Sequence, residues 1–443
     1  MVFQKKLLAN VNFLIMKKSL FIKFICISFL VNAQKTYTNI ALFGGFAHIG
    51  NGKIIENSLI TIKGNKIETV QNALGVKINP IAFDTIIYIN GKHVYPAFIN
   101  VNNVLGLHDA EAVKATRDFN EVGNFNPHIR SCIAYNTDNL IIPTVKTNGI
   151  LYTQVTPRGG VISGSSSIMA LEGWNWEDAL LKSDDGIHLN FPKMVIQKWA
   201  DDDKHYQEAN KKFMEEVQQL NEFFNDAFAY YQEANPVEKN IRLEAMKPIF
   251  KGKANLYIHA DNAKDILNAI VFCEKHNCPK IVIVGGKESY KITKILKEKN
   301  IAVMLNRVND LPESPDADVD LINKLGYYLN KDSVLFCFQL EGDMEAMQSR
   351  NLPFNAGVAV ANGLDKEAAI SALSLNTAKI LGVNNLIGTL EEGKLASLFV
   401  SEGDALDIKT NQIVLAYIAG KPVNLINRQF ELYQKYKTKY GLK

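Results

Sequence analysis

Two hydrophobic patterns divide the chain. In residues 39–88, apolar and polar side chains alternate between glycine and asparagine turns, and the same alternation returns in residues 387–423. A period of two predicts short antiparallel strands with one buried face. Between these ends, short apolar runs at residues 149–155, 255–259 and 281–284 alternate with helical patterns. This alternation predicts parallel strands that are joined by crossover helices.

The stretch 94–107, VYPAFINVNNVLGL, combines a strand pattern with a polar end. Its nearly continuous apolar residues predict a strand that is buried on both faces. Asn100, Asn102 and Asn103 stand near its carboxyl end, which is where barrel folds build their sites. Asparagine is also a common turn residue. From this stretch alone, a turn is the favoured interpretation.

Two motifs give the chain a resemblance to a known family. The stretch 94–107 resembles the first barrel strand of the amidohydrolase superfamily, in the secreted branch that includes imidazolonepropionase-like proteins. The segment 386–398, LIGTLEEGKLASL, is similar to the family's Gly-Ser-Leu-x-x-Gly-Lys-x-Ala-Asp-Leu motif, with Ser397 in the aspartate place. This second motif is the more specific one. It belongs to the scaffold, so it supports the fold and not an activity.

The resemblance extends over residues 39–425 and implies an α/β fold: a (β/α)8 TIM-like barrel with a small β-sandwich. We expect the sandwich to form from residues 34–92 and 385–430, and the barrel from residues 93–384. Residues 193–250 are rich in charged and aromatic side chains with helical spacing, which predicts a helical insertion in the barrel. A helix pair packed on the barrel rim is favoured for this insertion over a membrane or partner surface.

The metal ligands that the resemblance implies are mostly replaced. The family holds its catalytic metal with two histidines at strand one and with groups at strands five, six and eight, sometimes with a carboxylated lysine. Asn102 and Val104 stand in the histidine places of strand one, and Gly285 stands in that of strand six. His259 matches the histidine of strand five.

Strand eight corresponds to residues 338–343, FQLEGD, and either Glu341 or Asp343 takes the place of the family's aspartate. The position of the family's carboxylated lysine falls at Met169 or Ala170 in this sequence. Metal-dependent hydrolysis needs several histidines and carboxylates that converge on one ion. Since one histidine and one carboxylate cannot do this, we expect no cofactor, with zinc only if the site has been rebuilt.

Polar loops that follow the strands offer a different kind of site. Arginines there could clamp an anion, and tryptophan could stack on a ring. Pairing of the arginines with local acids such as Asp118 is an equally favoured alternative. The predicted pocket consists of Asn100, Asn102, Glu121, Arg130, Arg158, Trp176, His259, Gln339, Glu341, Asp343 and Arg350.

Composition and the N-terminus set the class and the expected location. The chain has 443 residues, 47% apolar and 21% charged, with a net charge of +3. This balance does not indicate binding to nucleic acid or to an anionic membrane. Within residues 1–33, a basic segment begins at Met16 with two lysines, an apolar run follows, and small residues up to Ala33 resemble a signal-peptidase cleavage site. These features predict a secretory signal peptide that starts at Met16. The apolar run is shorter than the roughly 20 residues of a membrane span, so an uncleaved anchor is the second choice.

Two functional hypotheses follow. In the first, an exported amidohydrolase-like protein has lost its metal and binds a small ligand or a catalytically active homologous partner. In the second, it remains a hydrolase of non-peptide C–N bonds with a site rebuilt around His259 and a nearby carboxylate. We favour the first, because the sequence lacks the convergent ligands that the second requires.

Overall fold

The structure is a computed structural model that describes residues 38–110, 112–199, 205–310 and 317–442. The predicted signal peptide, residues 1–33, lies outside the described residues. The predicted domain boundaries remain a prediction, and the elements are described below as the structure has them.

The described chain begins with strands that alternate as the sequence predicts. These are β1 (Asn39–His48), β2 (Ile54–Lys63), β3 (Lys66–Asn72), β4 (Thr85–Tyr88) and β5 (His93–Pro96). Strands β2 and β3 form a hairpin in which Lys63 pairs with Lys66. Gly64 has a φ of +60°, which glycine adopts without strain at the first central position of such a turn. The predicted hairpin turn at Gly64 is therefore confirmed.

The middle of the chain builds an eight-stranded barrel sheet. The strands of this region are β6 (Phe98–Asn103), β7 (Ile150–Val155), β8 (Ile162–Ala170), β9 (Leu180–Asn190), β10 (Val195–Trp199), β11 (His205–Ala209), β12 (Asn255–Ala260), β13 (Ile281–Gly285), β14 (Ala302–Leu305) and β15 (Phe336–Phe338). The sheet order is β15-β14-β13-β12-β9-β8-β7-β6, and β10 pairs with β11 in a separate hairpin. Every residue of β6 is buried, as its apolar run predicts. The TIM-like barrel fold is confirmed.

One barrel strand runs against the others. Strand β8 is antiparallel to both β7 and β9, whereas the other neighbouring barrel strands are parallel. Only six residues, 156–161, join β7 to β8, and a parallel crossover needs a dozen or more. The sequence ISGSSSIMA of β8 has serines and a glycine that are more typical of a loop. For this reason, strand β8 is absent from the pattern-based prediction.

The C-terminal strands return to the first sheet. Strands β16 (Leu398–Ser401), β17 (Ile413–Ile418) and β18 (Lys421–Pro422) extend it in the order β18-β17-β16-β5-β1-β2-β3, with β4 paired to β1. The link between the two ends of the chain is the antiparallel pairing of β16 with β5. Since β5 leads directly into β6, this pairing fixes the first barrel strand to the sheet.

Twelve α-helices are present in the described residues. They are α1 (Ile142–Lys146), α2 (Trp176–Ala179), α3 (Phe213–Gln232), α4 (Ile241–Phe250), α5 (Ala263–Lys275), α6 (Thr293–Glu298), α7 (Leu325–Lys331), α8 (Glu345–Gln348), α9 (Leu352–Ala361), α10 (Lys366–Leu373), α11 (Leu375–Leu381) and α12 (Arg428–Lys439). Helix α3 buries Leu220, Phe224 and Ala227, one stripe at helical spacing. Phe224 packs edge-to-face on Phe272 of α5, so α3 lies against a crossover helix of the barrel. Among the described helices, none has both the length and the apolar character needed to cross a bilayer.

Candidate functional site

Six polar side chains meet where the barrel strands end, and we call them the arginine–histidine cluster: Asn102, Arg158, His188, His259, Glu341 and Glu345. They come from β6, the loop between β7 and β8, β9, β12, the segment after β15, and the first turn of α8. The end strands β6 and β15 are not paired to each other. Contacts of Asn102 and Arg158 cross this seam to the residues that follow β15, while His188 and His259 come from the middle of the sheet.

Asn102 links the two sides of the seam. Its Nδ2 donates to Glu341 Oε2 at 2.9 Å and more weakly to Gln339 Oε1 at 3.4 Å. The residue has a φ of +49°, and the pairing of β6 with β7 shifts register between Asn100 and Asn103. Asparagine tolerates this left-handed conformation better than most residues. The irregularity turns the Asn102 amide toward the strand ends.

Arg158 is the positive charge of the cluster. Its Nη1 donates to Asn102 Oδ1 at 2.9 Å, and its Nη2 donates to the Asn102 carbonyl at 2.8 Å and to Glu345 Oε2 at 2.9 Å. The Arg158 side chain is 17% exposed and that of Glu345 is 9% exposed. Burial disfavours the charged guanidinium, but Glu345 and Glu341 outweigh it and raise the pKa of Arg158. The arginine is therefore held charged and in one position.

Two histidines and a carboxylate form a chain beside it. His259 Nδ1 lies 3.4 Å from Glu341 Oε2, and His259 Nε2 lies 3.0 Å from His188 Nδ1. When the Nδ1–H of a neutral His259 donates to the Glu341 carboxylate, His259 Nε2 carries a lone pair and accepts from the Nδ1–H of His188. The free lone pair is then on His188 Nε2. That atom is buried and has no hydrogen-bond partner among the described residues.

Burial and charge set the protonation states of the cluster. Burial lowers the pKa of His188 well below its usual value, and the positive charge of Arg158 lowers it further. Burial alone would raise the pKa of Glu341, but His259 and Arg158 outweigh it, so that pKa is strongly lowered. Burial raises the pKa of Glu345 although Arg158 opposes this effect. The cluster thus contains a neutral imidazole, an ionised Glu341 and a carboxyl group whose charge depends on Arg158.

A second polar layer lies beneath the cluster inside the barrel. The Asn102 backbone N–H donates to Gln154 Oε1 at 3.0 Å, and Gln154 Nε2 donates to Asp185 at 2.9 Å. Asp185 also accepts from Tyr257 at 2.5 Å and from Ser166 at 2.7 Å. These donors hold a carboxylate that is 1% exposed. The layer fixes the end of β6 and so the position of Asn102.

Comparison with known proteins agrees with this architecture. The sequence profile of the Amidohydrolase family matches residues 178–426, more than half of the chain. The chain belongs to the amidohydrolase family. No curated protein matches it. An amidohydrolase from Thermotoga maritima MSB8 has 23% sequence identity and a TM-score of 0.75, and the match covers 87% of this chain and 99% of that one.

Two further solved structures share the fold at lower similarity. A Xaa-Pro dipeptidase with bound methionine in its active site has 14% identity and a TM-score of 0.53, with 87% of this chain and 100% of that chain covered. An ochratoxinase from A. niger has 14% identity and a TM-score of 0.51, with 88% and 96% covered. At these identities the likeness concerns the fold alone.

The amidohydrolase fold implies a catalytic metal, and the cluster can be compared with what a metal needs. Across residues 38–110, 112–199, 205–310 and 317–442, no group of three or more His, Cys, Asp or Glu side chains is arranged to hold an ion. Both ring nitrogens of His259 contact protein groups. The Arg158 guanidinium bonds Glu345 and stands near Glu341. The donors are bonded to one another and do not converge on one point, so they do not fit a catalytic metal.

Gly285, the last residue of β13 and the position that the resemblance assigns to strand six, gives a steric reason why a histidine ligand does not fit. Gly285 has a φ of +103°, and a Cβ atom there would lie 2.5 Å from Asp261 Oδ1. No side chain fits without displacement of Asp261. Val104 of strand one is 3% exposed and belongs to the hydrophobic core. At these two positions, where the family resemblance leads us to expect histidines, the structure has a carboxylate against Gly285 and core packing around Val104.

The other predicted pocket residues lie outside the cluster. Gln339 is 1% exposed and lies next to it, while Asn100 Nδ2 donates to Ser349 Oγ inside the barrel. Arg130 pairs with Asp184, and Trp176 packs against the core. Of the remaining ones, Glu121 and Asp343 are exposed. Arg350 is half-buried, and its backbone carbonyl accepts from Asn148, just before the start of β7.

Two cluster members were missed by sequence reasoning. His188 follows a polar Asp184-Asp185 pair in β9, and only the fold shows that this strand lies next to β12. Glu345 is seven residues beyond the end of β15 and reaches back from α8. The predicted lysine place at Met169 or Ala170 is wrong in position. Ala170 pairs with Tyr152 near the start of β7, so it lies at the opposite end of the barrel.

Proposed function

We propose that this amidohydrolase-family protein carries no catalytic metal and binds a small organic ligand at the arginine–histidine cluster. The observation that supports it is the position of Arg158. A fixed guanidinium already neutralises the carboxylates of the site, and a second cation there would meet its repulsion. Ligand binding needs no metal, whereas the hydrolysis typical of the fold uses one.

The unmet hydrogen-bonding groups suggest the ligand's chemistry. Gln339 Nε2 is a buried donor and His188 Nε2 a buried ring nitrogen, and neither has a partner among the described residues. A buried polar group without a partner costs about 1–3 kcal/mol, so a ligand that satisfies both gains affinity. An amide or a carboxylic acid offers an acceptor and a donor together. We therefore propose a small ligand that contains such a group.

Metal content is the first test. The protein is purified from residue 34 onward, exposed to zinc, dialysed and measured by elemental analysis. We expect far less than one zinc per chain and an unfolding temperature that a chelator leaves unchanged. One tightly held zinc per chain would overturn the proposal.

Ligand binding is the second test. Small amides and carboxylic acids are screened by thermal shift with the wild type, with Gln339→Met, which removes the buried donor at similar volume, and with Gln71→Met as a surface control. We expect stabilisation of the wild type and of Gln71→Met but not of Gln339→Met. Equal stabilisation of all three would place the ligand elsewhere.

A second function has one specific observation in its favour. The Glu341–His259–His188 chain resembles the carboxylate–imidazole arrangements that position a general base. A rebuilt hydrolase of C–N bonds could use it. Turnover of an amide that is abolished by His188→Gln, together with bound zinc, would support this alternative. A catalytically active homologous amidohydrolase remains the proposed partner if no small ligand binds, and we propose export on the basis of residues 1–33.

A further inference from the structure

A cavity lies at the end of the barrel opposite the cluster. Its volume is about 420 Å³, within the size range of small-molecule sites. Asn255, Ile281 and Ala302 line it, and these are the first residues of β12, β13 and β14. The cavity therefore lies at the amino ends of the strands, away from the arginine–histidine cluster.

The wall of this cavity is strongly basic. Five lysines line it: Lys182, Lys253, Lys280, Lys299 and Lys379. Among the described residues that line it, Asp185 is the one acidic residue. Positive charges of one sign in a concave surface focus the potential and attract anions.

Three of the five ammonium groups are available. Lys182 Nζ donates to the Leu381 carbonyl at 2.6 Å, and Lys299 pairs with Glu274. In the part of the chain that the structure describes, no hydrogen bond or ion pair engages the side chains of Lys253, Lys280 or Lys379. An anion in the cavity would not have to displace an existing partner of these three.

The negative groups of the wall are already satisfied. The Asp185 carboxylate accepts from Tyr257, Ser166 and Gln154, so its charge is held by donors of the barrel interior. At the end of α11, the Leu381 carbonyl accepts from Lys182 and the Ile380 carbonyl accepts from Asn255. Carbonyls at a helix C-terminus would otherwise oppose an anion. Because these carbonyls already accept hydrogen bonds, the lysines determine the sign of the electrostatic potential in the cavity.

Apart from Asn255 and Asn300, the rest of the lining described by the structure is apolar. Val282, Ile301 and Leu335 contribute to it, with Ile281 and Ala302 at the strand starts. Such a surface fits the carbon skeleton of a ligand and not a bare hydrated ion.

We propose that this basic cavity binds a small organic anion that carries at least two negative charges, of the phosphate-ester type. Lysines hold phosphate as point charges, and the apolar wall accepts the organic part. The inference does not depend on the function proposed for the arginine–histidine cluster, because the two sites lie at opposite ends of the barrel.

The test compares two triple variants of the full mature chain. Lys253→Gln/Lys280→Gln/Lys379→Gln removes the three available charges of the cavity. Lys66→Gln/Lys77→Gln/Lys409→Gln removes three exposed lysines outside the barrel, in the part of the chain that contains β1–β5 and β16–β18. This control variant has the same net charge as the cavity variant. Phenyl phosphate is titrated into each by calorimetry at low ionic strength, with inorganic phosphate as the probe that lacks an apolar part.

We expect phenyl phosphate to bind the wild type and the control triple variant equally, and more tightly than inorganic phosphate. The cavity triple variant should lose about tenfold or more in affinity, and added salt should weaken binding to the wild type. Gln339→Met should bind as the wild type does, which separates this site from the cluster. Absence of binding, or equal loss in both triple variants, would overturn the proposal.

Discussion

Replacement of Arg158 tests whether the cluster is held together by a buried guanidinium. Arg158→Met keeps most of the side-chain volume and removes the charge. It deletes three hydrogen bonds of 2.8–2.9 Å, two to Asn102 and one to Glu345. Glu345, 9% exposed, then has no cation beside it.

The expected size of the effect follows from this burial. Removal of one partner of a buried ion pair typically costs about 3–5 kcal/mol, because the remaining charge is not compensated. The double variant Arg158→Met/Glu345→Gln removes that charge as well. It should recover most of the loss and leave about 1–2 kcal/mol for the bonds to Asn102.

Urea denaturation at pH 7 measures these differences, with Arg130→Met as the matched control. The Arg130 and Asp184 side chains are 42% and 37% exposed, and exposed pairs contribute about 0–1 kcal/mol. At acid pH the penalty of Arg158→Met should shrink, since Glu345 becomes protonated. If Arg158→Met unfolds no more easily than Arg130→Met, the guanidinium does not organise the cluster, and its charge does not exclude a second cation there.

Three further predictions concern other parts of the molecule. Burial keeps the pKa of His188 well below that of a histidine in the unfolded chain, so below about pH 6.5 the unfolded state binds more protons than the folded state. The free energy of unfolding should therefore decrease as the pH is lowered through this range. His188→Gln should make the pH profile of urea denaturation flatter, and an unchanged slope would contradict this. Gly285→Ala should destabilise the protein by about 1–3 kcal/mol from strain and crowding, and by more than Gly52→Ala, whose φ of +91° is similar but whose Cβ would meet open space; equal losses would show that Asp261 yields easily. If the protein is exported as we propose, N-terminal sequencing of it should begin at Gln34, and a start upstream of Gln34 would indicate an uncleaved leader.

The sequence predicts the scaffold better than the site, for a physical reason. Apolar runs and hairpin turns are local signals, and β6 and the turn at Gly64 follow from them directly. Strand β8 depends on its partners: the hydroxyl of Ser166 is buried because Asp185 accepts from it. For that reason the segment 164–167, whose glycine and serines are typical of a turn, lies within a strand.

The cluster depends on side chains that are far apart in the sequence. The His188–His259 contact spans 71 residues and the Arg158–Glu345 contact spans 187. His259, Glu341 and Arg158 could be singled out because each matches a motif or a loop at a strand end. His188 and Glu345 could not, since only the register of β9 with β12 and the turn of α8 bring them in.

The departures from the family pattern support one another, which bears on whether a metal site could be restored. Replacement of Asn102 and Val104 by histidine would place one ring at a φ of +49° and the other at a core position. Gly285 would still lack an imidazole, because Asp261 fills the space. Arg158 would still neutralise the acids that a cation needs. Each barrier has a different origin (conformational, steric and electrostatic), so removal of one leaves the other two. A restored site therefore requires changes at strands one and six and at Arg158 together.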